Sequence, residues 1–96
     1  MTRIEILNIL RNYKKENSDR YGILNLGLFG SYAKGIADNK SDIDIVIETT
    51  EPDPFKLVHI KEELEMLFCK PVDIIRNRET INPMLKKQNN EYAQYV

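Results

Sequence analysis

Asp42 and Asp44 stand two residues apart in the segment "SDIDIVIE". Residues two apart on an extended strand point the same way, with side-chain roots roughly 6–7 Å apart. Two carboxylates on one face repel each other unless something positive sits between them. Hard cations such as Mg²⁺ take oxygen ligands, and prefer one or two carboxylates together with substrate phosphates. Asp73, in "VDII", has the strand parity opposite to Val72 and Ile74. If that strand lies beside 42–48, three carboxylates converge within roughly the 5 Å inter-strand spacing. Two metal ions about 3.5–4 Å apart would fit such a cluster.

Gly30-Ser31 offers the complementary half. Glycine lets the backbone turn sharply and approach a ligand closely. Ser31 is expected to cap the following turn, whose free N–H groups point at an anion. A triphosphate could lie between this donor nest and the carboxylates. That geometry suits attack on an α-phosphate with pyrophosphate leaving. Taken singly, Gly-Ser reads as a bare strand-to-helix turn, and Asp42 and Asp44 as turn and cap residues; the two together with Asp73 read as a site.

The elements that must hold these residues are legible from period and caps. Thr2 followed by Glu5 is a capping box, and Ile4, Ile6, Leu7, Leu10 and Tyr13 give a helix to about Lys15. Residues 17–22 read as a polar turn. Residues 23–29 form a strand expected to be buried on both faces, apart from Asn25 and Gly27. One helical turn over 31–34 stops at Gly35. Residues 36–40 form a loop, with Asp38 an ordinary member of it. Residues 42–48 alternate, with Ile43, Ile45 and Ile47 on one face. Asp53-Pro54 starts a second helix with a stripe of Leu57, Ile60, Leu64, Leu67 and Phe68. Pro71 ends it, and residues 72–75 form a short strand. Asn82-Pro83 opens a last short helix, and "EYAQYV" closes the chain as an edge strand or docked tail.

Other motifs fail. Gly30 and Gly35 have P-loop spacing but are followed by Ile36-Ala37, not Lys-Ser/Thr. An EF-hand loop from Asp38 would put Lys40 at a ligand position and Ile43 where glycine is needed. His59 has no second His or Cys at metal spacing and reads as a surface residue. Cys69, at the apolar end of its helix, reads as a core thiol. The chain of 96 residues carries 14 basic and 15 acidic residues. That balance argues against holding nucleic acid by bulk electrostatics. No apolar run is long enough to span a membrane, and the N-terminus does not read as a signal peptide. A single cysteine excludes an internal disulfide and suits a reducing cytoplasm; the sequon at Asn39-Lys40-Ser41 is discounted because no secretory signal is read. The expectation is one domain over residues 1–96, without direct nucleic-acid or membrane contact.

The segments "GSYAKG", "SDIDIVIE" and "VDII" together resemble the nucleotidyltransferase superfamily of the DNA polymerase β type. The short chain resembles its minimal members, the MNT-type antitoxins paired with HEPN toxins. The resemblance covers the chain from about Ile4 onward. It implies an α/β (α+β) nucleotidyltransferase fold, a small mixed β-sheet with helices packed mainly on one side. It places Gly30 and Ser31 on the triphosphate and Asp42 and Asp44 on both Mg²⁺ ions. It has Asp73 hold one of these ions and help activate the acceptor hydroxyl. The implied reaction transfers AMP from ATP to a tyrosine hydroxyl of a HEPN RNase toxin, encoded by an adjacent gene, and silences it. Lys34 stands where minimal members usually carry arginine, which keeps the charge and loses the bidentate fork. After the core only about twenty residues remain, too few for a separate acceptor-binding domain, so a macromolecule with its own docking surface fits. Arg76, Arg78, Lys86, Lys87, Tyr92 and Tyr95 could form a rim facing it, or simply a solvated face. Two rivals stand beside this reading. One is a binding antitoxin that neutralises by occlusion. The other is a catalytic subunit that modifies a small hydroxyl compound.

Overall fold

A computed structural model describes residues 1–38, 40–76 and 93–96. The expected helix at Asn82-Pro83 and the rim residues Arg78, Lys86, Lys87 and Tyr92 lie outside the described residues.

Helix α1 spans Arg3–Tyr21. Thr2 caps it, its Oγ1 accepting the Glu5 N–H at 3.2 Å. The helix runs well past Lys15, correcting the expected turn over 17–22. Three features carry it on. Asn17 Nδ2 bonds back to the Tyr13 carbonyl at 3.0 Å. The buried Tyr21 ring needs the last turn, and its hydroxyl donates to Glu63 Oε1 at 2.6 Å. Gly22 then ends the helix in the left-handed region (φ 64°), its N–H on the Ser18 carbonyl, as glycine readily does.

Strand β1 (Ile23–Phe29) leads into a five-residue helix, α2 (Gly30–Lys34). Strand β2 (Ile43–Thr49) follows, then α3 (Pro54–Phe68), β3 (Val72–Arg76) and the short edge strand β4 (Gln94–Tyr95). Asp53 caps α3 by accepting from the N–H groups of Phe55 and Lys56, with Pro54 at the first helical position. The helix ends at Phe68, before Pro71, with Cys69 in the left-handed region (φ 54°). Cys69 is exposed there, not in the core as the sequence suggests, because the turn carries it off the apolar face. Leu67 likewise stays half exposed while Ile60, Leu64 and Phe68 are buried.

The strands form one sheet in the order β3-β2-β1-β4, with β2 and β3 parallel and the other pairs antiparallel. Helix α3 is the crossover that a parallel pair requires. Leu26 faces Ile47, Leu28 faces Ile45, and Ile43 faces Val72. These side chains form one core cluster with Ile6 and Leu10 of α1 and Ile60, Leu64 and Phe68 of α3. Each fully buried isoleucine or leucine contributes about 1.5–3 kcal/mol relative to exposure. The alternate residues, Gly27, Phe29, Asp44, Val46, Asp73, Ile75 and Tyr95, occupy the opposite face. The expected burial of β1 on both faces holds only in part, since Leu24 is exposed as well as the excepted Asn25. Val46 is buried on the second face: Tyr95 and Val46 both crowd the place where a Gly27 side chain would be.

Candidate active site

The candidate site lies where β1 becomes α2. Phe29 is extended (φ −136°, ψ −173°), and Gly30 turns the chain at φ 74°. A side chain at Gly30 would run into the Asp44 carboxylate, with Asp44 Cγ at 2.9 Å and Cβ at 3.1 Å. Backbone and carboxylate therefore approach as only glycine permits. Ser31 does not cap α2. Phe29 holds the cap position without a side-chain bond, because Gly30 itself begins the helix. Ser31 lies within the first turn, whose N–H groups have no intrahelical acceptor. The buried Tyr32 and Ala33 root α2 in the core. Gly35 ends it (φ 76°), and the Ile36 N–H returns to the Ser31 carbonyl at 3.0 Å. Lys70 lies 5.5 Å over the Tyr32 ring, joining the turn after α3 to α2.

Asp44 sits directly between two partners: opposite Phe29 on β1 and opposite Asp73 on β3. It is half-buried, whereas Asp42 and Asp73 are exposed. Burial raises the Asp44 carboxyl above its usual range, and the nearby Asp73 and Asp42 charges push it further. The strand begins at Ile43, so Asp42 falls just before it. Asp42 and Asp73 are both near enough for their charges to act on Asp44. Among the described residues no group of three His, Cys, Asp or Glu side chains is placed to hold a metal ion. Arg76 ends β3 on the core-facing parity, opposite Ile47.

Asp38 is the residue that sequence reasoning passed over. Its Oδ1 accepts from the Lys40 N–H at 2.8 Å and the Ser41 hydroxyl at 3.2 Å. Its N–H donates to Ser41 Oγ at 3.0 Å, and its carbonyl accepts the Ser41 N–H at 3.1 Å. This local knot delivers the chain to Asp42. The available signal was the Asp-x-x-Ser spacing, a side-chain turn pattern.

A mixed sheet with one carboxylate-bearing face, entered by a glycine turn against an aspartate, is the architecture of a nucleotidyl-transferring domain. A family model described as "Nucleotidyltransferase domain" matches residues 10–96, and the chain belongs to that family. A relative in Methanocaldococcus jannaschii, provisionally named protein adenylyltransferase MJ1379, is 39% identical over 98 residues, covering 99% of this chain and 98% of that protein. Protein adenylyltransferase MntA of Thermococcus cleftensis is 40% identical over 76 residues, covering 78% of this chain and 77% of that protein. A solved structure provisionally described as a minimal nucleotidyltransferase superposes with TM-score 0.81 at 29% identity, covering 100% of this chain and 97% of that one. The fold is also shared, at TM-score 0.69 and 19% identity, with a chain in the structure of a tri-AMPylated Shewanella oneidensis HEPN toxin in complex with MNT antitoxin. That match covers 98% of this chain and 71% of that one. Among the described residues no helix is long and apolar enough to cross a membrane.

Proposed function

We propose that this chain, as one domain over residues 1–96, is a Mg²⁺-dependent protein adenylyltransferase that acts as an antitoxin. It transfers AMP from ATP to a tyrosine hydroxyl of a HEPN-type RNase toxin encoded beside it in the cytoplasm of the same cell. The observation that carries the reading is the contact of the Gly30 turn with Asp44, which itself faces Asp73 across the parallel strands. Support also comes from relatives named protein adenylyltransferases over most or all of their length.

Asp42, Asp44 and Asp73 would hold the metal. The donor chemistry fits, being all carboxylate oxygen: Asp44 is raised by burial first and then by the Asp73 and Asp42 charges, a repulsion that a divalent cation would relieve while drawing together side chains that stand apart without it. Bound there, Mg²⁺ supplies Lewis-acid polarisation of the α-phosphate and neutralises charge on the leaving pyrophosphate. The chain's own residues orient the reactants. The Gly30 and Ser31 N–H groups bind triphosphate oxygens, leaving the α-phosphorus over the carboxylate face. The tyrosine oxygen forms a bond to that phosphorus while the bond to the bridging oxygen of pyrophosphate breaks. The hydroxyl proton passes to Asp73, exposed on the same face.

The test is an RNase assay of the partner toxin. The native chain with ATP and Mg²⁺ is expected to silence it, and a chain carrying Asp→Asn at 42, 44 and 73 is expected not to. Full silencing by that triple variant would replace catalysis with occlusion. Transfer to small hydroxyl compounds without any partner would move the acceptor from protein to small molecule.

A further inference from the structure

Glu65 lies half-buried on α3 and has no part in the chemistry above. Its backbone carbonyl accepts the Cys69 N–H at 2.8 Å. Its carboxylate Oε2 accepts the Val72 N–H at 3.1 Å. One residue thus grips both ends of the turn 69–72 that leads from α3 into β3. Lys70, within the turn, also lies over the Tyr32 ring, and Cys69 Sγ approaches the Met66 carbonyl at 3.7 Å, but neither contact reaches the first N–H of β3. Cys69 is a non-glycine residue at φ 54°, a conformation costing about 1–2 kcal/mol, and Pro71 has no N–H to offer. Pro71 instead reaches across the sheet, its carbonyl accepting the Ile43 N–H at 3.1 Å.

Two bonds therefore converge on the start of β3, one from the helix side and one from the sheet side. Together they set Ile43 opposite Val72, and so Asp44 opposite Asp73. A slip of one residue would turn Asp73 to the core face. A carboxylate is a stronger acceptor for a backbone N–H than a neutral group, which suits Glu65 to resist that slip. We propose that Glu65 is a positioning residue for Asp73, clamping the first N–H of β3 so that the two aspartates stay opposed. The catalytic consequence rests on the proposed role of Asp73; the positional claim does not.

The test compares Glu65→Ala and Glu65→Gln with the native chain. In Glu65→Ala, Val72 amide exchange is expected to rise about tenfold or more relative to Leu26 and Ile47, and cross-strand NOEs between Asp44 and Asp73 to weaken. Its kcat for adenylyl transfer is expected to fall about 10–100-fold, with KM for ATP within about twofold. Glu65→Gln keeps an acceptor oxygen and is expected to recover most of both, which guards against simple misfolding. Native exchange rates and NOEs in Glu65→Ala would overturn the proposal, and so would a loosened turn with unchanged kcat. A native chain without transfer activity would instead overturn the functional reading, leaving exchange and NOEs to decide the positional claim.

Discussion

At the scale of residues, the fold keeps one carboxylate where it is electrostatically uncomfortable. Asp44 is raised by burial first and by Asp73 and Asp42 next. The fold therefore prefers it protonated, and between the ordinary carboxylate range and the raised value its contribution to stability falls as pH rises. Asp44→Asn removes that penalty. The variant is expected to lose transfer by about 10²–10³-fold or more, yet to melt in EDTA at pH 7 no lower than the native chain. A clear drop in melting temperature would mean that Asp44 holds the fold together. Gly30→Ala addresses the other half of the site. The new methyl would sit at φ 74° and strike Asp44, with a left-handed penalty of about 1–2 kcal/mol. Urea denaturation should show at least that loss, and transfer should fall because the turn and Asp44 can no longer touch. The strand parity read for Asp73 matches its place opposite Asp44, and the turn read at Gly30 matches its positive φ. The capping role expected of Ser31 fails because Gly30 enters the helix one step early. Asp38 is missed because its bonds depend on how a loop folds on itself.

At the scale of elements, α1 and α3 are joined by one carboxylate. Glu63 accepts the Tyr13 hydroxyl at 2.8 Å and the Tyr21 hydroxyl at 2.6 Å, with Arg20 at 3.9 Å. The Tyr21 bond is the chief influence holding Glu63 below its usual range, helped by Tyr13, Arg20 and His59 and opposed by burial. A depressed carboxylate contributes stability above its unfolded value, and that contribution fades as pH falls through the folded value. Glu63→Ala leaves two buried phenols without their acceptor, a loss of about 2–4 kcal/mol in urea melts. It should also flatten the acid limb of the stability curve; an unchanged limb would place the acid sensitivity elsewhere. This cluster explains why the end of α1 could not be read from sequence. Tyr21 extends the helix because of Glu63, far along the chain. Where signals were local, the elements came out well: β1 spans 23–29 as expected, and Asp53-Pro54 opens α3. Where burial depends on distant partners, they did not. Val46 is buried on the face where Tyr95 of β4 returns beside Gly27, and Cys69 is exposed where α3 unwinds into a left-handed residue.

At the scale of the whole molecule, α1 and α3 back one side of the sheet, and Asp44 and Asp73 lie on the other. The mixed sheet follows from the sequence once α3 is recognised as a crossover, since strands on either side of such a helix are most simply parallel. What the sequence could not supply is the half-burial of Asp44 between β1 and β3, because that depends on which strands lie beside β2. The near-neutral charge balance of 14 basic and 15 acidic residues gives no bulk field to draw in nucleic acid, consistent with a protein acceptor. The most direct test of the central claim is the intact mass of the neighbouring gene's product after incubation with this chain, ATP and Mg²⁺. The partner is expected to gain one or more adenylyl groups on tyrosine with the native chain and none with Asp44→Asn. A partner of unchanged mass in the presence of the native chain, or equal modification by Asp44→Asn, would contradict the claim.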